Sequence, residues 1–179
     1  MRAARLTVRI ARPGDARLAT AAAALIRGAS EGHDVAVRSP ALLRTKLETG
    51  RAVVALRDGR LAGFGYFAVW EDGEVVSHSG LVVRPEERGR GLGRRIKLRL
   101  LRASRRLFPR ARTISLTSSP AVLAMNRSLG FRRVPLSRLT RDPRFWEGCR
   151  GCRRFAEARA AGRRCCCSGM LLAPDPGTR

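Results

Sequence analysis

The stretch from Leu81 to Arg95 reads LVVRPEERGRGLGRR and sets Gly89, Gly91 and Gly93 at every second position directly after an apolar run. Glycine gives up side-chain packing and raises the entropy cost of folding, so this spacing is expected where something must approach the backbone closely. A phosphate-bearing cofactor fits, because successive backbone N–H groups and a helix N-terminus together attract an anion. A Walker-type loop would also need a Lys-Ser/Thr pair, which is missing. A dinucleotide fingerprint would need Gly-x-Gly-x-x-Gly early in a βαβ unit, whereas three antiparallel-looking strands precede Gly-x-Gly-x-Gly here. The remaining pattern is Arg-x-x-Gly-x-Gly between a strand and a long helix, a pyrophosphate cradle, and Arg88, Gly91 and Gly93 meet it.

Two other groups of residues could do chemistry. Glu74 and His78 are evenly spaced on the strand that leads into the loop, so they would share one face as candidate general bases. The bland alternative is a hairpin-end glutamate in solvent and a histidine satisfied within the sheet. Cys149-x-x-Cys152 followed by Cys165 and Cys167 supplies thiols at spacings that could close a tetrahedral zinc site. The alternative there is small side chains packing the end of the chain, with Cys166 as the odd one out.

The elements that must position these residues follow from local patterns. LTVRI alternates like a strand, and Pro13 and Asp15 open an alanine-rich helix. This strand–turn–helix reading competes with that of an arginine-rich transit leader and fits better. SPALLRTKLETG is a second helix, capped by Ser39 and stopped at Gly50. Three strands separated by Asp-Gly turns come next. Leu92, Ile96, Leu100 and Leu107 then mark a long helix, TISLT a strand, SPAVLAMNRSLG a helix capped by Ser119, and FRRVPL a strand that closes the sheet. The pattern is an α/β (α+β) fold with a mixed, mostly antiparallel sheet flanked by helices over residues 5–141. From Asp142 the chain turns Cys- and Pro-rich, and 142–179 reads as an extension packed on the domain. Trp146 would anchor it, and Met170, Leu171 and Leu172 would pack into the core.

The net charge of +23 suggests nucleic acid or an anionic surface. Against that, Lys46 and Lys97 are the only lysines and the arginines are spread along the whole chain. Only 5% of residues are aromatic and no stacking motif appears, which argues against RNA. An odd cysteine count with three adjacent does not fit a secreted disulfide framework, so a cytoplasmic protein is expected. No apolar run is long enough to span a bilayer, and no membrane partner is implied. A homodimer is compatible with the sequence.

The order β-α-α-β-β-β, LVVRPEERGRGLG, helix, strand, AVLAMNRSLGF resembles the GNAT superfamily of acyl-CoA N-acyltransferases over roughly the first three-quarters of the chain. The resemblance implies that the strand before the glycine loop and the strand after the helix splay apart to admit pantetheine. The amides of Arg88, Gly89, Arg90, Gly91, Leu92, Gly93 and Arg94 would then hold the CoA pyrophosphate. The backbone of Leu81, Val82 and Val83 would pair with pantetheine, and an N–H near Val82 would polarise the thioester. The family often has a tyrosine four residues before Gly-Phe as general acid for the thiolate. Asn126 stands there, and an amide can orient a group but cannot supply a proton as a phenol does.

The segments VAVRSPALLRTKLETGRAVVAL, LAGFGYFAVW, SHSGLVV and LTRDPRFWEGCRGC…CCCSGMLLAP are similar to a group of stand-alone GNAT proteins associated with arginine biosynthesis, which carry a Cys-rich tail. That likeness implies acylation of the α-amine of L-glutamate, from acetyl-CoA or succinyl-CoA. A glutamate acceptor needs two carboxylate partners, and Arg38 and Lys46, flanking the second helix, are the candidates; solvated surface charge is the alternative for both. Competing readings are a GNAT enzyme acting on a protein N-terminus or other small amine, an acyl-CoA sensor without catalysis, and a basic RNA-binding protein.

Overall fold

The computed structural model describes residues 5–174. β1 (Leu6–Ile10) leads through a 3-10 turn at Pro13–Leu18 into α1 (Ala19–Gly32). Asp15 fixes this entry by accepting the Arg12 amide at 2.7 Å and pairing with Arg9. α2 (Pro40–Glu48) starts where the Ser39 side chain accepts the Leu42 amide, and the chain turns at Gly50 with φ +64°.

β2 (Ala52–Arg57) and β3 (Arg60–Trp70) form a hairpin whose turn residues Asp58 and Gly59 both have positive φ, 49° and 80°. That is the conformation for which Asp-Gly is suited, because its twist matches that of the strands. Glu71–Gly73 makes the next reversal into β4 (Val75–Val83). α3 (Leu92–Leu107) crosses to β5 (Arg112–Thr117), and α4 (Pro120–Ser128), capped by Ser119, follows. The chain ends in β6 (Arg132–Val134), two short helices α5 (Pro143–Glu147) and α6 (Phe155–Ala160), and β7 (Ser168–Leu172).

All seven strands form one sheet in the order β1-β2-β3-β4-β5-β7-β6, with β4–β5 the parallel pair and every other neighbour antiparallel. FRRVPL therefore lies at the edge as expected, but against β7 and not against β5. β7 comes from the stretch read as an extension, and it is an internal strand. Its pairing with β5 runs from Thr113↔Leu172 to Thr117↔Ser168. The physical reason is that the middle of β5, Thr113 to Ser115, is buried and needs a full-length neighbour, while three-residue β6 is too short and too charged to supply one. Met170 is fully buried, as expected, and Leu171 and Leu172 are half-buried.

Both faces of the sheet are covered. Ile26 of α1 and Leu43 and Leu47 of α2 pack on Val54, Phe64 and Tyr66. On the other face Ile96 and Leu100 of α3 meet Val53, Phe67 and Val76. α3 lies close because Gly63 and Gly65 have no side chains beneath it: a Cβ on Gly63 would come within 2.8 Å of Ile96. A third cluster joins Val75 and Ile114 to Leu139 and Phe145, with Trp70, Trp146 and Leu171 around it.

Because β7 completes the sheet, truncating its buried side chain should destabilise the whole fold. Met170→Ala is expected to cost about 2–5 kcal/mol, the range for a large-to-small core change. Chemical denaturation should show one cooperative transition at a lower midpoint. A separate early transition with an unshifted main one would contradict this.

Candidate active site

β4 and β5 run side by side for only three residue pairs, Val75↔Arg112, Val76↔Thr113 and Ser77↔Ile114. Beyond Ser77 no strand among the described residues pairs with that edge of β4, while β5 continues along β7. The two strands therefore part, leaving a gap lined on one side by unpaired β4 backbone. Within the same stretch β4 carries one extra residue against β3, between Ser79↔Tyr66 and Val82↔Phe64. Gly80 makes this bulge with φ +61°, and a Cβ there would sit 2.7 Å from the Tyr66 ring. A bulge of this kind re-aims the backbone polar groups of residues such as Leu81 out of the ladder.

At the end of β4 the chain passes through Pro85–Glu87 to the glycine loop. Glu87 is buried against Arg57, which anchors the entry. Residues Arg88 to Gly91 are exposed, and Gly89 and Gly91 adopt φ +74° and +73° with nothing within 4 Å of a built Cβ. Gly91 is the residue preceding α3, and Leu92 is buried at its first turn. Gly93 lies inside α3. The loop is thus an open helix N-terminus in an arginine-rich segment, chemistry that suits an anion; Arg88 Nε donates to the Val83 carbonyl and Arg94 Nη1 to Ser128 Oγ.

On the α1/α2 face, beside the bulge, lies a cavity of about 420 Å³. Arg38 and Lys46 both line it, so the two cations picked from the sequence share one wall. Arg38 is held by three bonds: its Nε donates to the Tyr66 hydroxyl (2.8 Å), and Nη1 to the carbonyls of Gly148 (3.0 Å) and Val37 (2.9 Å). Among the described residues its Nη2, which lies beside Gly148, makes no hydrogen bond. Lys46 is half-buried, and burial, with Arg51 nearby, holds its amine below the usual lysine range. Ser77 and Ser79 of β4, Trp70, Phe145 and Glu147 also line it, as does a third cation, Arg144, which is paired with Asp142.

The remaining candidates are placed elsewhere. Glu74 is exposed, in a helical conformation before β4 begins, so it does not share a strand face with His78. His78 lies on the α3 side of the sheet, away from the cavity, with Nε2 3.1 Å from Ser104 Oγ. Burial, then the nearby charges of Lys97 and Arg105, keeps its imidazole neutral well below its usual range. Asn126 is fully buried on α4, its amide nitrogen 3.6 Å from Met170 Sδ and its Oδ1 without a hydrogen-bond partner. The five cysteines are free and half-buried. The Cys167 amide donates to Cys165 Sγ at 3.4 Å, and interaction among the thiols pushes those of Cys149 and Cys167 up and that of Cys165 down. The sulfurs of Cys165, Cys166 and Cys167 lie within 4.8 Å of one another, so Cys166 stands nearer the cluster than its odd count suggests.

Sequence reasoning missed the bulge at Gly80, the hydroxyl of Tyr66, the two serines, and Glu147. It also missed Lys97, which is 2% exposed on α3 with its ammonium 4.7 Å from the centre of the Phe131 ring. The signals present were weak: Tyr66 is the only tyrosine in the chain, and Lys97 breaks an otherwise apolar helix face. No helix among the described residues is long and apolar enough to cross a membrane.

A sequence profile described as the acetyltransferase (GNAT) family matches residues 24–131. No curated protein matches the sequence. Among solved structures, N-acetylglutamate synthase from Neisseria gonorrhoeae, complexed with coenzyme A and N-acetyl-glutamate, is similar at TM-score 0.69 and 20% identity. That match covers 96% of this chain, which spans only 35% of the synthase. A Mycobacterium tuberculosis protein in complex with CoA is similar at TM-score 0.66 and 24% identity, over 93% of this chain and 98% of that one. A GNAT superfamily phosphinothricin acetyltransferase from Sinorhizobium meliloti, in complex with AcCoA, gives TM-score 0.66 and 22% identity over 97% and 90% of the two chains. At these identities the likeness is one of fold.

The burial of Lys97 has a consequence for stability. Burial lowers its amine from 10.5 to about 7 in the folded protein. Below about 7 both folded and unfolded chains hold this proton, and the folded state bears the full cost of the buried charge. Between about 7 and 10.5 the unfolded chain binds more protons, so stability rises with pH across this window and the cost is gone above it. Lys97→Met should stabilise the protein at pH 6 by about 3 kcal/mol, the desolvation cost less what the Phe131 face returns. It should also flatten the rise. Denaturation midpoints of both proteins between pH 6 and 10 check this, and parallel curves would disprove it.

Proposed function

Because the chain belongs to the acetyltransferase (GNAT) family and is an N-acetyltransferase using CoA, we propose that its acceptor is the α-amine of L-glutamate, the committing step toward ornithine and arginine. The observation that carries this reading is the pairing of Arg38 and Lys46 on one wall of the cavity beside the β4 bulge. Two cations on one wall suit a ligand with two carboxylates, and Arg38 still has an unused Nη2. Glu147, which has no ion-pair partner among the described residues, lines the same cavity and suits the ammonium group. Family membership leaves the RNA-binding and non-catalytic readings without an observation of their own.

In this mechanism the pyrophosphate of acetyl-CoA rests on the amides of Arg88 to Arg94, and pantetheine adds along the unpaired edge of Leu81 to Val83. The bulge amide beside Gly80 donates to the thioester oxygen as negative charge develops there. Glu147, directly or through a water, takes the proton from the attacking amine. Tyr66 supplies what Asn126 lacks: its hydroxyl accepts from Arg38, which leaves its own proton free for the departing thiolate. His78, under α3, and Glu74, in solvent, have no part in it.

Two experiments test the reading. Gly91→Val forces a β-branched residue into the left-handed region and crowds the anion site; CoA affinity should fall at least tenfold while circular dichroism stays unchanged. An unchanged affinity in a folded variant would remove the loop from the cofactor site. The acceptor is decided by steady-state rates with glutamate, aspartate, spermidine and a peptide, each with acetyl-CoA and succinyl-CoA. Glutamate should be preferred, and Arg38→Met or Lys46→Met should each raise its KM about 10–100-fold, the worth of one charged hydrogen bond. A preference for spermidine or peptide would refute the acceptor and leave the cofactor site standing.

A further inference from the structure

Arg94, Lys97, Leu101 and Ser104 follow one another at helical spacing, so they form one stripe along α3. Contacts place both ends of it. Arg94 Nη1 donates to Ser128 Oγ of α4 at 3.2 Å, and Ser104 Oγ lies 3.1 Å from His78 Nε2 of β4. The neighbouring Ile96 and Leu100 pack over Gly63 and Gly65 of β3, so the stripe looks past β4 toward α4. α4 in turn rests on β7 through Asn126 and Met170. The seam between α3 and α4 therefore runs above the gap that opens between β4 and β5 after Ser77.

Two polar side chains are buried in this seam without the partners their chemistry calls for. Lys97 is 2% exposed, with its ammonium 4.7 Å from the centre of the Phe131 ring, and no carboxylate pairs with it among the described residues. Asn126 is fully buried and its Oδ1 has no hydrogen-bond partner. Its backbone carbonyl accepts the Phe131 amide at 3.0 Å, which ties it to the ring that Lys97 touches. A buried donor and a buried acceptor left open both cost stability, and such costs are borne where a ligand supplies what is missing.

We propose that Lys97 and Asn126 hold the pantetheine arm of CoA, the lysine donating to an amide carbonyl of the arm and Asn126 Oδ1 accepting an amide N–H. The arm carries secondary amides, each with one donor and one acceptor, and the seam offers the complement. This rests on the reading above that the arm lies along the open edge of β4. The charged and titratable groups around Lys97 are Arg94 and Arg105 of α3, neutral His78 of β4 and exposed Arg127 of α4. None of them is an acid, so the ligand is what brings an acceptor. Burial holds the Lys97 amine at about 7 in the free protein. A carbonyl acceptor favours its charged form, so CoA binding raises that value and draws in protons at about pH 8.

The test is calorimetry on the full chain with CoA and with ADP, which keeps the pyrophosphate and lacks the arm. Lys97→Met should weaken CoA binding about tenfold or more, the worth of one charged hydrogen bond, and leave ADP binding unchanged. Asn126→Leu should likewise weaken CoA and spare ADP. The wild-type chain gives a readout that needs no variant: in buffers of different ionisation heat at about pH 8, CoA binding should take up protons. That uptake should be absent with ADP, and absent with CoA on Lys97→Met. Unchanged CoA affinity in folded Lys97→Met, an equal loss for CoA and ADP, or no proton uptake by the wild-type chain would overturn the assignment. A wild-type chain that binds neither ligand would overturn the cofactor reading itself.

Discussion

The structure turns on the early end of the pairing between β4 and β5. A parallel pair that stops after Ser77↔Ile114 leaves β4 with backbone donors and acceptors that no strand satisfies. Buried backbone groups are almost always paired, so this edge is built to be completed by something else. The bulge at Gly80 lies in the same stretch and turns β4 further from the ladder. The glycine loop then carries the chain directly from that edge into α3, so the helix start and the open strand edge are neighbours.

What holds β5 away from β4 is the far side of the sheet. β7 pairs with β5 along its whole length, and Met170 and Leu171 fasten it to α4 and to the third cluster. Glu71, at the end of the β3–β4 hairpin, bonds to Arg112, Thr140 and the Arg141 amide, tying the closed end of the gap to the start of the final segment. The same segment supplies Phe145 and Glu147 to the cavity and Gly148 to Arg38. It is therefore both a strut and a wall.

This division explains what the sequence disclosed. The glycine loop, the Asp-Gly turn and the serine caps are local: a few adjacent residues set their own backbone, so Gly91, Asp58-Gly59 and Ser39 could be read directly. Arg38 and Lys46 were reached through charge and family likeness, and they share a cavity because α2 and the segment that leads into it line the same side. The place of β7 was not legible, since its pairing with β5 spans more than fifty residues and no pattern within SGMLL names its partner. The side taken by His78 depended on where β4 begins. Counting from Glu74 assumes extended backbone there, but Glu74 belongs to the preceding turn.

The interior and the surface handle positive charge in opposite ways. Most arginines stay in water, where their fields are screened and their cost is small. Beside the cavity, the Tyr66 hydroxyl and two carbonyls replace the water that the Arg38 guanidinium loses. Lys97 has only an aromatic face, and burial brings its amine close to neutrality. Guanidinium cannot discharge in this way, so an arginine at position 97 would have no escape from the desolvation cost. That constraint accounts for a lysine at this buried position in a chain that otherwise prefers arginine almost everywhere.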